Sequence, residues 1–223
     1  MKKVISLLGA CFMLMSVVVV GATELSNEQQ SVLYSYGIMV GDENGDLRLN
    51  DTITRAEAVK MICCAGSMDI SSNESLPLEQ PFNDVPAHHW AIQYIHAAKL
   101  VGIIDGDENG NFKPEEEITY QEIIRMILSV LGYQSMADTR GGYPDGYMIT
   151  ATQLGLTKSL SVKTESVASR NDTAILISNA LDIPMMVQSG FDLNDPTSAE
   201  YKIMNGENGT ELITLRSMLD ETK

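Results

Sequence analysis

Residues 105–116 read DGDENGNFKPEE and fit the spacing of a calcium-binding loop without a gap. Asp105, Asp107 and Asn109 would supply oxygens, Gly110 would permit the sharp turn, and Glu116 would be the bidentate last ligand. The same letters also suit an acidic loop between two helices. Anion capture is the second candidate chemistry. Arg55 and Arg170 each stand at the first position of a helix, beside the positive end of its dipole. A cation there is disfavoured by roughly 0.3–1 kcal/mol unless something compensates it. Either Glu57 and Asp172 compensate, or each guanidinium converges with free backbone amides on a carboxylate or phosphate.

The elements that must position these residues emerge when the chain is slid along itself. A shift of 65 aligns YGIMVGDENGDLRLNDTITRAEAVKMI (36–62) with VGIIDGDENGNFKPEEEITYQEIIRMI (101–127). A weaker third copy runs from GGYPDGYMITATQLGLTKSL through SVASRNDTAILISNAL, at offsets of 53 and then 50. Each copy reads as helix, polar loop, helix. In the middle copy, Trp90, Ile92, Tyr94, Ile95, Ala98 and Val101 predict an amphipathic helix over 87–100, closed by Gly102. A second helix carries Ile123, Ile124, Ile127, Leu128 and Leu131, and ends at Gly132. Thr119 with Glu122 and Thr54 with Glu57 have capping-box spacing, and Ser169 with Asp172 is a shorter-armed version. Tyr120 fills the arginine slot of the middle copy, where it offers a hydroxyl or a stacking face. Residues 70–81 and 134–146 read as connectors.

The chain has 15 Lys and Arg against 30 Asp and Glu. Residues 1–25, MKKVISLLGACFMLMSVVVVGATEL, have the layout of a secretory signal peptide cut after Ala22. An uncleaved anchor over Val4 to Ala22 and lipidation at Cys11 are the alternatives. Cleavage removes Lys2 and Lys3 but no acid, leaving 13 cations against 30 anions, a net −17. That balance disfavours nucleic acid or an anionic membrane as partner, so an anionic ligand needs a few locally placed cations. Adjacent Cys63 and Cys64 cannot easily meet disulfide geometry and read as small buried hydrophobes.

Residues 82–133 carry F-x-D-V, HWA, GII-x-G, a polar loop with F-x-P, and an ITRAE-like helix start, in that order. This segment resembles an S-layer homology module. The first copy lacks F-x-D-V and HWA yet has ITRAE unaltered, and the third substitutes YPDGY and ATQLGL. The resemblance covers about residues 28–188. It implies an all-α fold of three tandem helix-loop-helix modules, 23–68, 79–134 and 141–188, forming a pseudo-threefold spindle. An extension, 189–223, follows, with a short hairpin expected around Asn205 to Gly209.

Members of that family anchor proteins to the bacterial wall. The resemblance therefore implies a secreted chain of the cell surface that binds secondary cell-wall polysaccharide, commonly pyruvylated, in grooves between modules. Other surface-layer proteins would be further partners, and the chain stands alone or anchors something longer. A pyruvyl ketal carries a carboxylate that an Arg at a helix start can receive. By position the anion role passes to Arg55 and Arg170, flanked by Glu57 and Asp172. Tyr120 departs from the pattern, which implies a middle groove that binds weakly or contacts sugar instead. Asp84 and Trp90 match the family's landmarks, although a Trp on an apolar helix face reads as core.

Two rivals are weaker. A calcium sensor would leave its twin loop without a site, since Val40 and Asp51 stand where the first carboxylate and the Glu belong. An enzyme would need opposed carboxylates or a nucleophile with its base, whereas the acids here fall on loops and caps. No catalysis and no cofactor are expected.

Overall fold

The computed structural model describes residues 23–68, 70, 80–192, 195–207 and 209–223. The expected signal segment and most of the connector 70–81 lie outside the described residues. Eight helices and one two-stranded sheet are described: α1 (Asn27–Ser35), α2 (Arg55–Ala65), α3 (Ile92–Leu100), α4 (Tyr120–Val130), α5 (Gln134–Thr139), α6 (Asp145–Gln153), α7 (Arg170–Ala180), β1 (Met186–Asp192), β2 (Asp195–Ile203) and α8 (Leu215–Glu221).

Helix ends follow local chemistry. Thr54 accepts from Glu57 N at 3.2 Å, and Glu57 reaches back to Thr54 N at 3.0 Å. In the middle copy Thr119 N donates to Glu122 at 2.9 Å. Ser169 makes half of the box, accepting from Asp172 N at 3.1 Å. The carboxylate of Asp172 is one methylene short and turns elsewhere. The leading helices α1, α3 and α6 each stop at a glycine with positive φ, Gly37, Gly102 and Gly155, a conformation that the missing Cβ makes accessible.

Packing closes these pieces into a ring. The second helices α2, α4 and α7 contact one another pairwise. Each leading helix lies on the second helix of the preceding copy: α3 on α2, α6 on α4, and α1 on α7. Just before the second helices, three buried residues complete a triangle of backbone bonds. Ile118 N donates to Ile53 O at 3.1 Å, Ile53 N to Ala168 O at 3.3 Å, and Ala168 N to Ile118 O at 2.9 Å. All three are fully buried, so each bond there satisfies a donor that water cannot reach. On α4, Ile123, Ile124, Met126, Ile127 and Leu128 are buried together.

Several expectations shift. The helix read over 87–100 begins at Ile92. His89 Nδ1 accepts from Ala91 N at 3.1 Å, which fixes a turn and leaves Trp90 outside the helix. Ile92, Ile95 and Ala98 are buried, whereas Trp90 and Val101 are exposed. The connector 134–146 holds α5 and the start of α6, which cross where Gly146 meets Ala137; a Cβ on Gly146 would lie 2.0 Å from the Ala137 carbonyl oxygen.

A hairpin is present, but β2 pairs backward with β1, Met186 opposite Ile203 and Gln188 opposite Tyr201. Around Asn205 to Gly209 the chain makes a turn closed by an Asn205–Leu212 bridge. That turn precedes a fourth capped start, in which Thr214 and Ser217 exchange bonds ahead of α8. The sequence IMNGENG (203–209) here echoes IMVGDENG (38–45). Gly209 N donates to Gly206 O as Gly45 N donates to Asp42 O. The extension is pinned by Arg216 on Asp182 and by Met186 N on Leu131 O at 2.9 Å.

Candidate functional site

The arginines at the helix starts do not point into open solvent. Arg55 Nε donates to Phe112 O at 2.9 Å and Nη1 pairs with Glu122 at 2.5 Å. Arg170 repeats this one step round the ring, Nε to Leu47 O at 3.1 Å and Nη1 to Glu57 at 3.3 Å. Their side chains are 13% and 11% exposed. Tyr120 completes the set by donating its hydroxyl to Asp172. Each copy therefore hands one donor to the capping acid of the next. Burial, and then the Asp172 carboxylate, push the Tyr120 phenol well above its ordinary value, so it stays a neutral donor.

The expectation of free amides at these helix starts is corrected. Arg55 N and Ala56 N donate to Glu116 O and Pro114 O, both at 2.9 Å. Tyr120 N and Gln121 N donate to Ser166 O and Thr164 O, and Arg170 N and Asn171 N to Asp51 O and Leu49 O. The loop of the following copy satisfies the first two amides of each helix, and the capping side chain takes a third at two of the three starts. What remains for an incoming anion is the guanidinium edge. Nη2 of Arg55 and of Arg170 has no hydrogen-bond partner among the described residues.

Arg55 lines a groove of about 470 Å³ at the junction of the copies, with Lys113, Glu122 and Arg125 of the second and Tyr143 of the third. Lys113 adopts a positive φ of 62° and lies 3.9 Å from Asp107. Arg125 pairs with Asp105 and sits 5.9 Å over the Tyr143 ring. Under Arg55, Phe112 stacks on Phe82 at 5.4 Å, and the guanidinium lies 4.8 Å from the Phe112 centroid. A second groove of about 440 Å³ is lined by Arg48, Thr52, Thr54, Glu57 and Trp90. Mixed carboxylates, cations and aromatic faces suit a ligand that donates many hydroxyls and carries a negative group. Lys113, Arg125 and Tyr143 were not singled out from the sequence.

Asp84 clamps a loop, accepting from Phe112 N at 2.8 Å and Lys113 N at 2.6 Å. Trp90, expected in the core, is 56% exposed. In the calcium-patterned loop, Asp107 accepts from Asn109 N and Asn111 N, both at 2.9 Å. Those backbone bonds, chiefly the one from Asn111, hold its carboxyl below the usual carboxylate range. Asp42 makes the same pair of bonds in the first copy. Asp105 pairs with Arg125, and Glu116 lies 3.7 Å from Lys113. The pattern thus has a hydrogen-bonding explanation in both loops, and among the described residues no three His, Cys, Asp or Glu side chains cluster as metal ligands. No described helix is long and apolar enough to cross a membrane.

Residues 31–59 and 81–124 match the S-layer homology domain. The chain is 28% identical over 180 residues to a cell surface protein of Thermoanaerobacter kivui, an overlap of 77% of this chain and 23% of that protein. It is 27% identical over 159 residues to the middle cell wall protein of Brevibacillus brevis, covering 71% and 15%. An endoglucanase of a Bacillus species is 30% identical over 101 residues, covering 45% and 10%. The chain thus spans less than a quarter of the length of these relatives.

Proposed function

We propose that this chain, a carrier of the S-layer homology domain, is a non-covalent anchor at the bacterial cell surface that binds secondary cell-wall polysaccharide, pyruvylated in the form the family resemblance implies. The observation that carries the reading is the groove where Arg55 of one copy meets Glu122 of the next beside Lys113, Arg125 and Tyr143. A ketal carboxylate approaching Arg55 meets the Nη2 edge left over from the Glu122 pair, while the surrounding carboxylates accept sugar hydroxyls. Arg170 offers the same edge at the Glu57 position. Tyr120 donates to Asp172 and presents no cation, so that position contributes little to anion binding.

Binding without chemistry is further supported by the recurrence of this segment. It is shared with proteins named for different activities, an endoglucanase and a cell wall amidase of Bacillus anthracis, over 10% and 18% of their lengths. Such a shared piece suits a common address better than a common reaction. The reading is tested by co-sedimentation with purified wall sacculi before and after extraction of the non-peptidoglycan polymer. Retention on intact walls and release from stripped ones is expected. Equal retention on bare peptidoglycan would overturn it.

A further inference from the structure

Trp90 stands where a large apolar ring has no packing reason to be. It is 56% exposed, yet its ring is held in place. It stacks on His89, centroids 5.8 Å apart. His89 is fixed at both nitrogens: Nδ1 accepts from Ala91 N at 3.1 Å, so Nε2 carries the proton it shares with Glu115 at 2.9 Å. A rigid exposed aromatic face costs a ligand little ordering entropy.

The repeat shows a second such face. The offset of 53 that relates the middle and third copies carries Trp90 onto Tyr143, which is 46% exposed and lines the Arg55 groove. Tyr143 is likewise buttressed, edge-on to buried Tyr147 at 5.9 Å. Part of the lining of the two grooves corresponds. Arg48, Thr54 and Glu57 beside Trp90 match Lys113, Thr119 and Glu122 beside Tyr143 at the offset of 65. Each aromatic comes from the copy after the one that supplies the capping glutamate. At the third position the offset of 65 carries Trp90 onto Leu25, which is 3% exposed, and the arginine slot holds Tyr120. At two positions an exposed ring accompanies a capping glutamate paired with an arginine, and at one position both ring and arginine are absent.

We infer that Trp90 and Tyr143 are stacking ledges for pyranose rings, each beside a capping glutamate that is paired with a helix-start arginine. The positive C–H edges of a sugar's apolar face lie against the negative π face, while Glu57, Glu115 and Thr52 take its hydroxyls around Trp90. The inference rests on the glycan-binding reading above and adds the part of the glycan that is gripped.

Trp90 is the sole tryptophan, so its emission reports on its own groove. Titration with extracted wall polymer is expected to give a saturable emission change. Trp90→Ala is expected to weaken polymer binding by about tenfold, one stacking contact's worth, with Trp90→Phe largely restoring it. Trp90→Ala/Tyr143→Ala is expected to abolish binding, and Leu100→Ala, another exposed apolar residue, to leave it unchanged. If emission stays flat at polymer concentrations that saturate sedimentation, and Trp90→Ala binds like wild type, the ledges are wrong while the anchor stands. If wild type fails to bind walls at all, the anchor reading falls and the ledges fall with it.

Discussion

Glu122→Ala probes the ring where two of its jobs meet. One oxygen of Glu122 accepts from Thr119 N at 2.9 Å and from the Thr119 hydroxyl at 2.7 Å, while the other pairs with Arg55 at 2.5 Å. Loss of the cap costs about 1 kcal/mol. Removing one partner of a fully buried pair costs about 3–5 kcal/mol. Glu122 is 32% exposed, so water screens the stranded Arg55 and the pair's share falls to roughly 1–2 kcal/mol. The total is roughly 2–3 kcal/mol. With a urea slope of about 2 kcal/mol/M, the midpoint drops by roughly 1–1.5 M. Urea titration followed by far-UV circular dichroism measures it, and a cycle with Arg55→Ala isolates the pair, whose coupling is expected near 1 kcal/mol. A Glu122→Ala midpoint within error of wild type, or additive single and double variants, would refute the hand-over of one donor per copy.

Other consequences are also measurable. A Cβ on Gly132 would lie 1.9 Å from the Met186 carbonyl oxygen, at a φ of +83°. Gly132→Ala should therefore cost more than about 2 kcal/mol and release the extension, seen as new proteolytic cleavage after residue 181. Burial pushes the Cys63 thiol up to about 12 and raises Cys64 as well. A thiol raised on folding contributes full stability below about pH 8.5, the unfolded value, and loses it as pH rises toward the folded one. Thiol reagents at pH 8 should accordingly label the native protein slowly and the urea-unfolded protein at once. Arg216 holds the Asp182 carboxyl below its ordinary range. That stability is present above about pH 4 and lost as pH falls through the folded value. The melting-temperature gap between wild type and Asp182→Asn should be open at pH 7 and narrow progressively as pH falls below about 4.

The helix starts were legible because capping is local: Thr-x-x-Glu satisfies amides within its own turn, and the same letters recur 65 residues on. The partners across copies were not. Nothing in ITRAE specifies that Arg55 N will meet Glu116 O, because a backbone carbonyl has no letter of its own. Trp90 was misread because a 3.6 period extended one turn too far places it on the apolar stripe. The His89–Ala91 bond ends that stripe, and it depends on a ring orientation that the sequence does not state. Tyr143 was recoverable, since the offset of 53 already laid it on Trp90. The paired co-substitution was also in view: Tyr for Arg at position 120 and Asp for Glu at 172 occur in residues that bond each other. The hairpin slid because β1, MVQSGFD, has weak alternation, which leaves its partner and register unspecified.

The claim that a guanidinium at the junction of copies receives the wall polymer is tested most directly by calorimetric titration of that extracted polymer. The comparison is wild type against Arg55→Ala/Arg170→Ala, both verified as folded by circular dichroism at the titration temperature. The double variant is expected to bind at least about tenfold more weakly, with a shallower dependence on salt, because ionic contacts are removed. A double variant that binds with wild-type affinity and the same salt dependence would contradict it.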